Sequence, residues 1–242
     1  MNQNLDKHVR FASIDDFHSS IGIEKAYSAS GDVLIAYEMN GELIPPDHGF
    51  PLRLIVPGYI GVRNVKWIDR ITLHQEEAEG PYQRGLNYKI LPPNVSDAST
   101  VDINKFPSMY EPSVFSGITH VKQDGKVKVS NDGMKTITLK ATGWAWAGGG
   151  RNVARVDVTG DGGKTWTAAE ITQGGNQPFN RAWAWVFWSA EVPASVDEDG
   201  KVEISSKAVD AAYNSQVEVS DHIWNVRGLS NNSWFRFSMQ CE

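Results

Sequence analysis

Short strand-like runs alternate with turn signals through the second half of the chain, and this pattern constrains the fold more than any other feature. Apolar, β-branched and aromatic residues favour strands, whereas clusters of Gly, Asn and Asp favour the turns between them. The strand-like runs are 127–129, 136–146, 153–159, 166–171, 182–192, 202–209 and 234–239. Their spacing predicts an all-β, immunoglobulin-like sandwich over residues 113–242.

The first half mixes strand and helix patterns. Its predicted elements are a strand at 8–14, a helix from Ile21 to Tyr27 capped by Ser19 or Ser20, and strands at 33–39, 52–56 and 65–73. Asn40-Gly41, directly after the second of these strands, is the strongest short signal of a β-hairpin. The run 52–56 is the expected partner or near neighbour of the strand 33–39. This mixture predicts an α+β domain.

A long irregular segment separates the two halves. From Thr72 to Val114 the sequence is first acidic and then rich in Gly, Pro and Asn. A loop of this length in a compact domain is usually functional or a linker. We therefore place the domain boundary at its end, about residue 113.

Composition excludes several classes of protein. The chain has 242 residues, a net charge of −6 and one cysteine, Cys241. Its acidic balance argues against a nucleic-acid partner, and it has no run of 18 apolar residues to predict a membrane span. The start, MNQNLDKHVRFASIDDF, resembles neither a signal peptide nor a transit peptide. One cysteine excludes an internal disulfide framework.

Basic residues are concentrated in the part of the first half that extends from the apolar run 52–56 to the run 65–73. Between Arg53 and Arg70 there are four basic residues against one acid, namely Arg53, Arg63, Lys66 and Arg70 against Asp69. A local excess of positive charge in an acidic chain predicts a focused anion site. His48, which precedes Arg53 by five residues, and Asn64 add polar groups suited to phosphate and a heterocycle.

One further motif has a structural interpretation. The run Thr159-x-Asp161-x-Gly163-x-Thr165-Trp166 fits an Asp-box hairpin, in which the Asp caps the turn and the Trp packs beneath it. A single copy indicates a folding device, so we assign it no chemistry.

Tryptophans occur in two clusters whose spacings place alternate residues on one strand face, namely Trp144/Trp146 and Trp183/Trp185/Trp188. Core or interface packing is favoured there over a stacking platform for sugars or bases.

The titratable residues show no metal or hydrolase pattern. The six histidines lack HxxxH and HxH spacing, so no metal ligand is predicted. The acid pairs Asp15/Asp16 and Glu76/Glu77 lie next to each other in sequence, and adjacent side chains point apart. A glycosidase, which needs two carboxylates facing across a cleft, is disfavoured.

Several long stretches resemble one enzyme family. They are AYEMNGELIPPDHGFPLRLIVPGYIGVRNVKW (36–67), RAWAWVFW (181–188), KAVDAAYNSQ (207–216) and IWNVRG (223–228). They are similar to the sulfite oxidase and assimilatory nitrate reductase family of molybdopterin enzymes. The resemblance implies an α+β fragment of the molybdopterin-binding domain over residues 1–112, namely its C-terminal half. It implies an immunoglobulin-like dimerisation domain over 113–242.

The resemblance also implies roles for particular residues. The positions that match cofactor contacts are Asp15, His48, Arg53, Asn64, Val65 and Lys66. Asn64 stands where sulfite oxidases usually have histidine. Tyr88 matches an active-site tyrosine, with Tyr82 in place of a neighbouring tryptophan, and Arg227 matches an arginine of the oxyanion pocket. Arg227 favours sulfite, because nitrate reductases tend to have an apolar residue there.

The family pattern is not complete in this chain. The cysteine thiolate that binds molybdenum lies in the first half of the family's cofactor domain, before the point where this sequence begins, and Cys241 is in no position to replace it. No haem-binding HPGG motif is present either. We therefore expect a truncated, fragmentary or degenerate family member whose haem or cytochrome electron acceptor lies elsewhere.

The expected activity is the two-electron oxidation of sulfite to sulfate at a molybdenum–molybdopterin cofactor. The expected partners are sulfite or a similar oxyanion and a second copy of the chain, joined through the C-terminal sandwich. A nitrate reductase-like fragment and a non-catalytic dimerising or binding module remain as alternatives. The compartment is left open, because family members are mitochondrial, peroxisomal, cytosolic or periplasmic.

Overall fold

A computed structural model of the chain describes residues 7–241, which form two compact units. The first unit runs to Pro112 and also takes in Trp224–Ser230; the second comprises Ser113–Ile223 and the residues from Asn231 onward. Residues 1–6, on which part of the targeting-signal prediction rests, lie outside the described range. Within that range no helix is long and apolar enough to cross a membrane.

The first unit contains short strands and one short α-helix. In chain order these are β1 (His8–Ser13), β2 (His18–Gly22), α1 (Ile23–Tyr27), β3 (Leu34–Ala36), β4 (Glu38–Met39), β5 (Glu42–Leu43), β6 (Arg53–Ile55) and β7 (Ile68–His74). β1 is the central strand of an antiparallel sheet in the order β2-β1-β7. Its alternate residues Val9 and Phe11 join Ile21, Leu54 and Val56 in the core.

Two sequence predictions for the first unit are confirmed. β3 pairs with β6 in the register Leu34 to Ile55, as expected for the runs 33–39 and 52–56. β4 and β5 form the hairpin around Asn40-Gly41. Both turn residues have positive φ, 55° and 85°, which is the conformation that Asn-Gly supplies at low cost.

The predicted helix is mostly wrong. Ser19 and Ser20 are buried in β2 and cap nothing, and α1 begins only after Gly22 and has five residues. Ser20 Oγ accepts a hydrogen bond from the Ala78 amide at 2.8 Å, and Ser19 Oγ donates to Gln83 Oε1 at 3.2 Å. These long-range bonds and the pairing with β1 override the local capping preference. The helix content is therefore lower than the α+β pattern predicted.

The second unit consists of strands and short connections. In chain order the strands are β8 (Phe115–Val129), β9 (Lys135–Trp146), β10 (Val153–Thr159), β11 (Thr167–Ala168), β12 (Glu170–Gln173), β13 (Val186–Ser195), β14 (Lys201–Asp210) and β15 (Phe235–Gln240). They form two four-stranded antiparallel sheets, β11-β10-β14-β15 and β12-β13-β9-β8. Alternate residues of β9, β10, β13 and β14 meet in one apolar cluster. The prediction of an all-β second half is confirmed.

The Asp-box hairpin has the predicted geometry. The Asp161 carboxylate accepts hydrogen bonds from the Thr165 amide (3.0 Å) and hydroxyl (2.6 Å), and Trp166 Nε1 donates to the Gly163 carbonyl (3.1 Å). Although desolvation opposes it, hydrogen bonding from Thr165 and Thr159 lowers the pKa of Asp161 to about 2. The hairpin is a local folding device.

The tryptophans divide between the two faces of one sheet. Trp188 is buried in the core, and its Nε1 donates to the Trp144 carbonyl at 3.1 Å. Trp144 and Trp146 lie on the opposite face, as their spacing predicted, because the residues between and before them are the buried ones. There Trp144 stacks on Trp185 with ring centroids 4.6 Å apart. The aromatic residues thus pack chiefly on each other.

Candidate functional site

A turn at residues 46–49 is held by three side chains from the basic stretch. Three successive carbonyls each accept one bond: Pro46 O from Trp67 Nε1 (2.7 Å), Asp47 O from Lys66 Nζ (2.7 Å) and His48 O from Arg53 Nη1 (2.9 Å). The fold therefore brings His48, Arg53 and Lys66 together, although they are separated in sequence by a strand and a loop.

Gly49 allows this close approach. Its φ is +115°, and a Cβ added there would lie 2.9 Å from Lys66 Cβ and 3.1 Å from Arg53 Cβ. A side chain at this position would push the basic residues away from the turn, and its backbone conformation would be strained. The lack of a side chain at Gly49 therefore lets the turn that bears His48 lie close to Arg53 and Lys66.

Arg53 retains unused hydrogen-bonding capacity. Its Nε is buried and has no hydrogen-bond partner among the described residues. An orphaned buried donor on a cation is costly unless a ligand supplies an acceptor. The side chain of His48 is half exposed, and its imidazole lies 3.7 Å from the Asp47 carboxylate. Both side chains are suited to an anionic or polar ligand at this turn.

Four of the six predicted cofactor residues line one cavity. It has a volume of about 270 Å³, and Asp15, Asn64, Val65 and Lys66 contribute to its lining. Ser13, Phe17 and Trp67 supply further parts of the lining. The mixture of a carboxylate, an ammonium group, backbone and aromatic surface matches the needs of a polar heterocycle that carries negative charge.

Asn64 and Val65 contribute to the cavity by shaping its backbone. Asn64 Oδ1 accepts from the Val56 amide (2.7 Å), and its Nδ2 donates to the Ile60 carbonyl (3.1 Å). Val65 is buried in the core, and its carbonyl accepts from the Leu54 amide at 2.7 Å. Because both side chains are already engaged, any contact of this loop with a ligand is made mainly by main-chain atoms.

Asp15 also borders a second and larger cavity of about 530 Å³. Asp16, His18, Glu79 and Tyr82 line this cavity as well. Three carboxylates around one cavity disfavour a free anion there. The Asp15 carboxylate accepts a hydrogen bond from the Ser13 hydroxyl, which ties it to the end of β1.

The predicted convergence of four basic residues is wrong. Arg63 is completely buried and makes its hydrogen bonds inside the unit, and Arg70 is exposed on β7. Only Arg53 and Lys66 remain at the 46–49 turn and the adjoining cavity. Sequence spacing could not separate these cases, because burial depends on packing partners that are distant in the chain.

Arg227 contacts Asn87, the residue that precedes Tyr88 in the chain. Arg227 Nη2 donates to Asn87 Oδ1 at 3.4 Å, and both belong to the first unit. Asn225 holds the turn that carries Arg227, because its Oδ1 accepts from the Arg227 and Leu229 amides at 3.2 and 3.1 Å. Arg227 is exposed and Tyr88 partly buried. The fold thus places Arg227 beside the residue that precedes Tyr88.

Sequence reasoning missed a buried polar network next to Tyr88. It consists of Arg63, Gln83, Glu77, Ser108 and Tyr110, and we call it the Arg63 network. Desolvation opposes ionisation of Glu77, but hydrogen bonds from Tyr110, Gln83 and Ser108 lower its pKa. Burial, together with the bond to Glu77, raises the pKa of Tyr110. From the sequence, Glu77 was identified only as one of two adjacent acidic residues, and no partner was predicted for it.

Cys241, which the sequence analysis excluded as a molybdenum ligand, belongs to the second unit. It packs against the apolar cluster there, and this burial raises the pKa of its thiol. Across residues 7–241, no group of three or more His, Cys, Asp and Glu side chains has the geometry to hold a metal ion. The described residues therefore offer binding groups for a cofactor but no protein-only metal centre.

Two family models match the chain. The Mo-co oxidoreductase dimerisation domain matches residues 107–242, and the oxidoreductase molybdopterin binding domain matches residues 2–82. Together they account for most of the sequence, including the 46–49 turn and the 270 Å³ cavity.

The chain is also similar to named enzymes. It is 42% identical to mitochondrial sulfite oxidase of Mus musculus, over 97% of this chain and 42% of that protein. It is 38% identical to sulfite oxidase of Arabidopsis thaliana, over 95% and 59%. It is 40% identical to nitrate reductase (NADH) of Lotus japonicus, over 91% and 24%. The chain thus spans about two-fifths of the length of the mouse protein.

A solved structure shares the fold. The crystal structure of the sulfane dehydrogenase SoxCD from Paracoccus pantotrophus superposes with a TM-score of 0.73 at 25% sequence identity. The match covers 97% of this chain and 55% of that chain.

Proposed function

This chain belongs to the sulfite oxidase family of molybdopterin oxidoreductases, and from that premise we propose that it forms part of a molybdopterin site at which sulfite is oxidised to sulfate. One observation carries the proposal. Asp15, Asn64, Val65 and Lys66 line a single cavity, while Lys66 and Arg53 together hold the turn that bears His48.

The donor set suits a phosphorylated pterin. Arg53 offers a planar guanidinium whose buried Nε has no acceptor in the part of the chain that the structure describes, and Lys66 offers an ammonium beside it. Both favour a phosphate group. Asp15 accepts hydrogen bonds from N–H groups of a heterocycle, and His48 either donates or accepts. When bound, the molybdenum–molybdopterin cofactor supplies the two-electron redox chemistry.

The substrate-binding role falls to Arg227 and Tyr88. Arg227 is exposed, and among the described residues its guanidinium makes one long bond, to Asn87, so it is available to a doubly charged oxyanion. The Tyr88 hydroxyl donates a hydrogen bond to a negatively charged oxygen. Asn225 fixes the turn on which Arg227 lies, which limits the entropy that Arg227 loses when an anion binds.

For the second unit we propose an immunoglobulin-like sandwich that joins two copies of the chain. Support comes from its two antiparallel sheets around one apolar cluster and from the match to the dimerisation domain. On this proposal the dimer forms whether or not the cofactor is present, because the first unit contains the cofactor residues.

Nitrate reduction is the second candidate, favoured by the likeness to the Lotus japonicus enzyme. Arg227 distinguishes the two, since a guanidinium suits the dianion sulfite better than the singly charged nitrate. For sulfite oxidation we propose a haem protein or cytochrome as the electron acceptor, whereas nitrate reduction would need an electron donor.

A steady-state assay of the cofactor-loaded protein distinguishes sulfite oxidation from nitrate reduction. With ferricyanide as acceptor we expect sulfite turnover, and in Arg227→Met we expect kcat/KM to fall roughly 100-fold, since about 2–3 kcal/mol of charge-assisted bonding is lost. Arg155→Met in the second unit is the matched control, because Arg155 pairs only with Asp157 at 3.0 Å among the described ion pairs. Equal sulfite turnover of the wild type and Arg227→Met, or turnover of nitrate alone when reduced methyl viologen is supplied as electron donor, contradicts the proposal.

A further inference from the structure

Arg63 is the most deeply buried cation among the described residues, and it fastens three separate segments together. Its guanidinium donates to the Met109 carbonyl twice, at 3.1 and 2.9 Å, and to the Tyr82 carbonyl at 2.9 Å. It also donates to Ser19 Oγ at 3.3 Å and to Gln83 Oε1. These acceptors lie in β2, in the 82–83 segment and next to Tyr110.

The positive charge of Arg63 is balanced by the Glu77 carboxylate, to which it is linked through Gln83. Gln83 Nε2 donates to Glu77 Oε1 at 3.0 Å and to the Tyr110 hydroxyl at 2.9 Å. Glu77 in turn accepts from Ser108 Oγ at 3.0 Å and from the Tyr110 hydroxyl. A buried charge is tolerated when its polar neighbours satisfy it, and a partly satisfied network is worse than an apolar core. Every member of the Arg63 network therefore constrains the others.

The network acts on the segment that carries Tyr82 and Tyr88. The Arg63 guanidinium lies 5.8 Å from the centroid of the Tyr88 ring and 5.2 Å from that of Tyr110. The Tyr88 ring lies 6.5 Å from the Tyr82 ring, whose carbonyl Arg63 also binds. Apart from the short 3₁₀ turn Leu86–Tyr88, this segment has no regular backbone structure. Main-chain bonds place part of it, since the Met109 amide donates to the Tyr88 carbonyl at 2.8 Å, and the Arg63 contacts add side-chain anchors to these bonds.

We infer that Arg63 is a positioning residue, which through Gln83, Glu77 and Tyr110 sets the place of Tyr82 and the orientation of the Tyr88 ring. This inference rests on the proposed function for its catalytic consequence, because Tyr88 is the residue expected to meet the oxyanion. Arg63 itself touches neither cofactor nor substrate, since it is buried on all sides. Its contribution is to limit the Tyr88 hydroxyl to one location.

The positioning claim is tested without cofactor by fluorine NMR of the full chain labelled with 3-fluorotyrosine. Tyr88→Phe and Tyr82→Phe assign the two resonances. Arg63→Lys retains the charge but lacks the planar fork that binds several acceptors, so we expect both resonances to shift and broaden. Arg70→Lys, an exposed cation on β7, is the matched control and leaves them unchanged. Unaltered Tyr82 and Tyr88 resonances in Arg63→Lys overturn the inference.

Tyr110→Phe provides a second variant in case Arg63→Lys does not fold. It removes the hydroxyl that joins Glu77 and Gln83 but keeps the ring beneath Arg63. We expect the same resonances to move in the same direction by a smaller amount. A Tyr110→Phe protein with wild-type Tyr88 signals counts against the network as the anchor.

Turnover separates this inference from the proposed function. In the cofactor-loaded protein we expect Arg63→Lys to lower kcat for sulfite about tenfold, with KM changed less than about twofold, because a displaced tyrosine alters the reacting geometry more than anion capture. A merely structural role lowers the folded fraction and leaves kcat per folded molecule intact, and that result overturns the inference. Absence of turnover in the wild type refutes the proposed function, while the NMR result still decides the positioning claim.

Discussion

At the scale of single residues, the same chemical group has different uses according to its surroundings. Arg53 and Arg63 are ten positions apart in one basic stretch. Within residues 7–241, Arg53 keeps a buried donor without a partner beside the 46–49 turn, whereas the side-chain bonds of Arg63 are made inside the first unit. Sequence alone identified both as basic and could not tell them apart, because the acceptors of Arg63 come from β2, 82–83 and Met109.

Asn64 illustrates a substitution that the fold accommodates. Its amide bonds to the Val56 and Ile60 backbone stabilise the loop that lines the 270 Å³ cavity. The resemblance placed Asn64 at a histidine position and assigned it to the cofactor. The contacts of its side chain are internal, so we propose that Asn64 serves the cofactor by shaping the loop.

The stability that Asp161 contributes to its hairpin is predicted to depend on pH. Its pKa is about 2 in the folded protein against 3.8 for an unperturbed Asp, so the ionised carboxylate stabilises the hairpin above about pH 4. As the pH falls from 4 through 2 the carboxylate is protonated in the folded state as well, and this stability is lost. We expect Asp161→Asn to lower the urea midpoint at pH 6 and the difference from wild type to shrink toward pH 3. Urea titrations at several pH values check this, and a difference that is independent of pH contradicts it.

At the scale of elements, local signals predicted turns and strand pairs better than element lengths. The Asn40-Gly41 and Asp161-Gly162-Gly163 turns were predictable because only a few residue types adopt positive φ readily. β8, by contrast, was predicted only at 127–129, although it begins at Phe115. Its polar alternation is weak, and its strand conformation depends on pairing with β9 along nearly its whole length. Such pairing is not visible in a local window.

Gly143 in β9 is predicted to have no room for a side chain. A Cβ at Gly143 would lie 2.1 Å from the Gly117 carbonyl oxygen and 2.3 Å from Trp188 Cζ2, neither of which can move without disturbing the sheet or the core. We expect Gly143→Ala to destabilise the second unit by about 3 kcal/mol or more, because overpacking of a close-packed core typically costs about 1–3 kcal/mol. Urea unfolding followed by tryptophan fluorescence measures it. Thr136→Ala, an exposed position in the same strand, is the control, and equal midpoints for the two variants contradict the packing described.

At the scale of the whole molecule, the chain combines a unit with the candidate cofactor residues and a unit with a large apolar core. Residues of the first unit line the 270 Å³ cavity, and Trp224–Ser230 joins that unit although it is far along the sequence. The sequence divided the chain at about 113 and left Arg227 on the other side. Only the long-range contacts of the 224–230 segment, such as Arg227 with Asn87, reveal where it belongs.

The central claim is that the 46–49 turn and the adjoining cavity hold a molybdopterin cofactor. Its most direct test is the pterin content of the purified protein, measured by the fluorescence of the oxidised pterin. We predict near-stoichiometric content in the wild type and in Arg70→Ala, and a loss of about tenfold or more in the double variant Arg53→Ala/Lys66→Ala, because each charge-assisted contact to phosphate contributes about 1.5–3 kcal/mol. Equal content in all three proteins, or none in the wild type, contradicts the claim.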